Sequence, residues 1–240
     1  MKIAIMQPYF LPYIGYFQLM ASVDQFVIYD NIKYTKKGWI NRNRILVNGA
    51  DEYITLPLKK GSDFLDVDQR ELADGFDEER KKIIRKVAQA YRKAPQYDVV
   101  FPLIERILEY PEKNLFRYIH NSIREVAAFL GIDTPVIISS SIPADHQLKS
   151  QERVIAICKA LHATVYINPP GGVDLYSEDD FHQQNIELRF LQTGGISYQQ
   201  FGNEFISSLS ILDVMMFNTV EEIRNYIQVA IPKNEKSYDV

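Results

Sequence analysis

The chain has one cysteine, Cys158, one tryptophan and four histidines among its 240 residues. A single thiol cannot build a disulfide framework or a cysteine zinc cluster, and this usage fits a reducing compartment. Cys158 sits in the helical apolar pattern from Val154 to Leu161 and reads as a core thiol, with a nucleophile as the less favoured alternative. No histidine and carboxylate group has metal-ligand spacing, so no metal site is expected. Long apolar runs are also missing: none approaches the roughly 18 residues that span a membrane, and the first residues lack the layout of a secretory signal. A soluble, cytoplasmic protein without membrane insertion is expected. Positive charge is not in excess, since 27 Lys and Arg face 31 Asp and Glu for a net charge of -4. That balance excludes general binding to nucleic-acid backbones. Internal repeats and low-complexity stretches are absent.

What the chain does have begins almost at its first residue. Ile3 and Ile5 belong to a short apolar run stopped by Pro8, the pattern of a buried parallel strand. Pro8 and Pro12 forbid a helix until Gly15, after which Phe17, Leu19, Met20 and Val23 recur at roughly helical spacing. A second strand, rich in β-branched and aromatic residues, ends at Asp30. A third is expected over 53–58, with Pro57 marking an edge, and 61–75 reads as a loop with one short strand near 65–67. Asp77 is placed as the N-cap of a helix through Tyr91, and helices over 97–110 and 114–130 complete an all-helical block, 77–131. A second strand–helix–strand unit follows from Pro135 to Asn168, then a last strand over 186–190. Thr219 and Glu222 stand in capping-box spacing before a final helix, and the tail from Lys233 is polar. The expectation is one α/β domain over 1–240, a Rossmann-like, mostly parallel sheet with 77–131 as a helical insertion or lid.

Open parallel sheets bind ligands beyond the C-terminal ends of their strands. Gln7, the turn from Pro8 to Gly15, and Asp30 should converge there. Gly15 would let backbone approach a ligand, and the helix after it offers free N–H groups. Just past Asp30, Lys33, Lys36, Lys37, Arg42 and Arg44 interleave with Tyr34, Trp39, Asn41 and Asn43. Such a patch is either a solvated face or an anion site. Its place beyond a strand end, with the sole tryptophan, favours an anion joined to a planar or sugar ring. Ser139, Ser140, Ser141, Lys149, the Gly171–Gly172 turn and Tyr176 would form an opposite wall. His120 and His162 have structural explanations, on a helix face and at a helix end, which leaves His146, beside Asp145, as the histidine to test as a base. Asp24, Asp30 and Asp174 could reach magnesium through a substrate phosphate, though their spacing does not demand it.

The run from Met1 to Phe17, the segment Lys37 to Ile45, the Gly171–Gly172 turn, and Leu209 to Val214 with Phe217 and Asn218 together resemble the WbqC-like protein family over essentially the whole chain. The resemblance implies a bacterial cytoplasmic protein of surface-polysaccharide (O-antigen) biosynthesis, an aminoacyl (glycyl-like) or acyl transferase acting on an amino sugar. It supplies no catalytic residues. The turn Pro12 to Tyr16 also resembles the Pro-x-x-Gly-His turn of the nucleotidyltransferase superfamily, and Ile138 to Ile142 its serine-rich signature. Tyr16 stands where that superfamily has a phosphate-binding histidine, which speaks against adenylyl transfer but leaves a nucleotide cleft.

The expected partners are therefore a nucleotide-linked amino sugar and an acyl or aminoacyl donor, with a homo-oligomer left open. Arg42, Arg44 and Lys37 would hold the diphosphate, Trp39 and Tyr9 would stack, and Gln7 with Ser140 would orient the acceptor. Asn41, Gly15 and Tyr16 would line the same cleft, His146 or Asp30 would act as base, and N–H groups at Gly15 or Gly171 would meet an oxyanion. The sequence assigns no definite cofactor. ATP with magnesium enters only under an alternative, a nucleotidyltransferase or ATP-dependent ligase acting on a small acid or sugar phosphate. The remaining alternative is a nucleotide-sugar-binding subunit without catalysis.

Overall fold

A computed structural model describes residues 1–192, 195–202 and 204–233. Strand β1 (Lys2–Met6) is the expected apolar run, with Ile3, Ala4 and Ile5 buried. It pairs in parallel with β2 (Gln25–Ile28), Ile3 opposite Gln25 and Met6 opposite Ile28. Between them lies α1 (Ile14–Ala21), of which every residue from Ile14 to Met20 is buried. It packs on the C-terminal helix instead of showing a polar face.

After β2 the chain leaves the main sheet. β3 (Arg42–Val47) and β4 (Ala50–Thr55) form a separate antiparallel hairpin, turned by Asn48 (φ 50°) and Gly49 (φ 80°). Asn-Gly suits a tight hairpin because both residues tolerate positive φ. This corrects two expectations. The basic segment is not loop throughout, since its Arg42–Arg44 end is strand, and the strand expected over 53–58 ends at Thr55, outside the parallel sheet. The short strand expected near 65–67 is replaced by a single 3-10 turn, Val67–Gln69, closed by a capping box between Asp66 and Gln69.

Helix α2 (Phe76–Tyr91) is capped by Gly75, which places Asp77, Glu78 and Glu79 in its first turn. Asp77 thus favours the helix through its dipole and not as the cap. α3 (Tyr97–Leu108) and α4 (Leu115–Leu130) follow. Asn114 caps α4 by accepting from Arg117 N at 3.0 Å, and Gly131 ends it at φ 70°, as the sequence signals. Ile83, Val87, Ile104 and Ile123 of these helices share one buried apolar cluster with Phe10, Tyr16 and Phe26.

The sheet resumes with β5 (Val136–Ile138), α5 (Ser150–Ala160), β6 (Val165–Asn168), α6 (Glu178–Gln183) and β7 (Glu187–Gln192). Helices α7 (Ile211–Phe217) and α8 (Val220–Gln228) precede β8 (Ile231–Lys233), and the Thr219–Glu222 capping box opens α8. The strand order is β5-β2-β1-β6-β7-β8, the first five parallel and β8 antiparallel. This is the Rossmann-like arrangement, with the strand order reversing between β1 and β6. Lys233 closes β8, and the rest of the expected polar tail, 234–240, lies outside the described residues. No helix among the described residues is long and apolar enough to cross a membrane.

Cys158 is buried in α5, which pushes its thiol up to about 12. A thiolate that scarce is a poor nucleophile. Cys158 is expected to stay unmodified by a disulfide exchange reagent in the native protein and to react fully in denaturant. Rapid native modification would contradict that placement.

Candidate functional site

The first turn of the sheet is built by residues far apart in sequence. Phe10 N donates to Ile40 O at 3.1 Å, which lays the turn against the segment carrying Trp39. Asn43, buried in β3, donates from Nδ2 to Phe10 O at 3.1 Å and Leu11 O at 2.8 Å. Leu11 O also accepts from Ser210 Oγ at 2.7 Å, and Ile211 N donates to Pro12 O at 2.9 Å. Leu11 has φ 42°, a left-handed conformation that a branched residue keeps only when its surroundings hold it there. The hairpin and the start of α7 supply that hold.

Beside this clamp lies a cavity of about 320 Å³. Tyr9, Pro12 and Tyr13 wall it from the turn, Trp39, Asn43 and Arg44 from the hairpin side, and Ser208 from the chain before α7. Two guanidinium groups and two rings form a ladder at its edge. The Arg42 guanidinium lies 4.5 Å from the Tyr53 ring, Tyr53 stacks on Trp39 at 6.3 Å and 27°, and the Arg44 guanidinium lies 5.6 Å from the Trp39 ring. Hairpin register sets Tyr53 opposite Arg44 and Thr55 opposite Arg42, which brings both arginines to the Tyr53–Trp39 pair.

Arg44 pairs with Asp51 at 3.0 Å and reaches Ser208 O at 3.4 Å. Its Nε is buried and has no hydrogen-bond partner among the described residues. Trp39 leaves 39% of its surface open. Burial raises the hydroxyl pKa of Tyr9, helped by Tyr13, and burial raises that of Tyr13 itself, so both remain protonated donors at neutral pH. The cavity therefore offers ring faces, a guanidinium and hydroxyl donors. That set suits an anion attached to a flat or sugar ring.

Of the residues expected at the site, Tyr9, Trp39 and Arg44 line this cavity, with Arg42 one ring further out. Lys37 is exposed at φ 62° and holds Arg42 through its carbonyl. Three further residues expected at the site make structural contacts. Asn41 is buried, donates to Leu56 O and accepts from Tyr34 Oη, both at 2.8 Å, so its amide has tertiary partners already. Tyr16 is 1% exposed, donates to Gln7 O at 3.1 Å and packs edge-on to Phe26, so it braces the turn from inside the core. At Gly15 a Cβ would lie 2.3 Å from the Tyr13 ring, so the glycine makes room for that ring to fold over the start of α1.

A second group gathers at the ends of β2 and β5. Asp30, buried, accepts from Ser140 N at 2.9 Å and from Ser140 Oγ, so both carboxylate oxygens tie the two strands together. Ser141 Oγ donates to Ile138 O at 2.7 Å, while Ser139 Oγ is buried without a partner among the described residues. His146 Nε2 lies 2.9 Å from Ile142 O, which assigns the proton to Nε2, and Nδ1 faces Arg153 Nη2 at 3.4 Å. None of these residues lines the cavity. Gln7 is half-buried and serves Tyr16 through its carbonyl.

The supposed opposite wall does not line the cavity either. Lys149 is exposed at the N-cap of α5, and Gly171 is exposed. Gly172 is buried, and a Cβ there would lie 1.8 Å from Asn168 Nδ2, so the glycine packs against the Asn168 amide. Tyr176 packs edge-on to Tyr166 at 5.7 Å and Phe181 at 5.8 Å. A larger depression of about 550 Å³, lined by Thr164, Glu178, Asp179 and Glu187, lies at the starts of β6 and β7. It is at the edge opposite the ligand end of a parallel sheet, and its carboxylates repel anions.

Sequence reading placed Tyr13 at the site only as part of the Pro8–Gly15 turn and missed Tyr53 and Ser208. Asn48-Gly49 was the available signal for Tyr53, because it fixes the hairpin register that puts Tyr53 opposite Arg44.

The chain is thus a Rossmann-like α/β protein with a guanidinium–aromatic cavity at its first strand turn. The profile of the WbqC-like protein family matches residues 7–225, and the chain belongs to that family. It is 31% identical over 231 residues to an uncharacterized protein, Rv1507c, of Mycobacterium tuberculosis, a match covering 95% of this chain and 97% of the relative. No solved structure matches the chain.

Proposed function

We propose that the protein is a cytoplasmic transferase of bacterial surface-polysaccharide biosynthesis that binds a nucleotide-linked amino sugar in the Trp39–Arg44 cavity and attaches an acyl or aminoacyl group to its amine. The observation that carries this reading is the buried, unpartnered Nε of Arg44 beside the open face of Trp39. A buried donor without an acceptor is costly, and a phosphate oxygen supplies the acceptor while a ring covers Trp39. In the transfer, the neutral amine forms a C–N bond to the acyl carbon, the donor's leaving group departs, and the amine's proton passes to water. Tyr9 and Tyr13, kept protonated, would donate to the acyl oxygen as it gains charge.

A second reading, a nucleotide-sugar-binding subunit without turnover, is favoured by one observation: neither His146 nor Asp30 lines the cavity. Mass spectrometry of purified protein with nucleotide amino sugars and acyl or aminoacyl donors separates the two. Acylated sugar beyond one equivalent supports transfer, and its absence despite saturating sugar supports the subunit. Adding ATP and magnesium to the same assay tests ligation, which would release pyrophosphate.

A further inference from the structure

A second cavity of about 280 Å³ adjoins the first, since Tyr13 and Ser208 line both. Its remaining wall is largely apolar, with Ile14, Ile196, Leu209 and Val214 joined by the rings of Tyr198 and Phe205. Gln18 interrupts that wall. It is 1% exposed in the middle of α1, and its Nε2 donates to Tyr226 O at 2.8 Å. Its Oε1 has no hydrogen-bond partner among the described residues. Turning the amide over would set oxygen against the Tyr226 carbonyl, so the orientation is fixed and the acceptor stays open. Leaving a buried acceptor unpaired costs about 1–3 kcal/mol.

We propose that this cavity is a second ligand subsite, taking a compact apolar group that carries one N–H donor, an amide or ammonium, onto Gln18 Oε1. Its size suits a group of a few heavy atoms, and Gln18 Oε1, the buried acceptor on its wall without a partner among the described residues, fixes which way that group points. Tyr13 stands between the two cavities with its ring folded over Gly15. A molecule in each would meet at that tyrosine. The subsite rests on its own geometry; its assignment to the transferred acyl or aminoacyl group rests on the function proposed above.

The test is saturation-transfer NMR with isobutyramide and 3-methyl-2-butanone, a pair alike in shape of which only the amide has N–H donors. Isobutyramide is expected to bind wild-type protein, and Gln18→Leu to weaken it at least tenfold. Ser207→Trp, at an exposed position on the cavity wall, should block it without disturbing the core. That variant keeps the test decisive where Gln18→Leu melts early. Equal binding of the ketone, unchanged binding to both variants, or no amide binding to wild type would overturn the subsite. Arg44→Ala should leave isobutyramide binding intact while weakening nucleotide-sugar binding at least tenfold. Amide binding without any nucleotide-sugar binding keeps the subsite and removes only its assignment to transfer.

Discussion

Asp213→Ala is expected to lower the stability of the protein by about 3–5 kcal/mol in urea unfolding, the summed, non-additive cost of the donors it would strand. Asp213 is fully buried in α7. Its Oδ1 accepts from Tyr91 Oη at 2.7 Å, and its Oδ2 accepts from Tyr198 Oη at 2.6 Å and Gln200 Nε2 at 2.7 Å. Tyr91 Oη in turn accepts from Leu46 N at 2.8 Å. One carboxylate therefore ties α2, the hairpin and the segment that walls the second cavity. Domains hold only about 5–15 kcal/mol in total, so the loss is a large fraction. A change below about 1 kcal/mol would mean that these bonds do not carry the packing.

The same residue has a signature in pH. Desolvation raises the Asp213 carboxyl above its ordinary 3.8, and the bonds from Tyr198, Tyr91 and Gln200 pull it part of the way back. The folded state then holds this proton more tightly than the unfolded chain. Its contribution to stability is complete below 3.8 and is lost as pH rises through the folded value. Wild type should lose stability relative to Asp213→Asn over that window, and a difference that grows in the opposite direction would contradict the desolvated carboxyl.

The second large effect concerns binding. Arg44→Ala removes the guanidinium with the buried, unpartnered Nε and is expected to weaken a nucleotide sugar about 10- to 100-fold, the loss of a charge-assisted bond of roughly 1.5–3 kcal/mol. Trp39→Ala should cost about 1–3 kcal/mol of affinity by removing a stacking face. Both side chains are at least partly open to solvent, so the free variants should melt close to wild type. Saturating ligand, at about 100 times its Kd, stabilises a protein by about 2.7 kcal/mol. At this chain length that is a rise in Tm of roughly 5–10 °C, which should shrink in both variants. Equal ligand-induced shifts in wild type and Arg44→Ala would place the ligand elsewhere.

The framework was legible where apolar runs and punctuation coincide. Pro8 stopped β1, and Asn114 and Gly131 bounded α4, because these residues act on their own backbone. The hairpin escaped reading because the charges at Arg42 and Arg44 look like loop, although Asn43 and Ile45 are buried between and beside them in strand alternation. β8 is three residues long and antiparallel at the sheet edge, too short for a pattern. At the site, strand-end placement brought Tyr9, Trp39 and Arg44 into view. It could not show that Asp30 is spent on Ser140, 110 residues away, or that Tyr16 turns inward to Gln7 O. Polar side chains take their roles from tertiary partners, and one sequence does not name those partners. Gln18 is the sharpest case, a polar residue within an almost wholly buried helix.

The most direct test of the Trp39–Arg44 cavity is isothermal titration of wild type and Arg44→Ala with a panel of nucleotide-linked amino sugars. The account predicts that a member of the panel binds wild type and binds Arg44→Ala at least tenfold more weakly. No binding across the panel, or equal affinity for the two proteins, would contradict it.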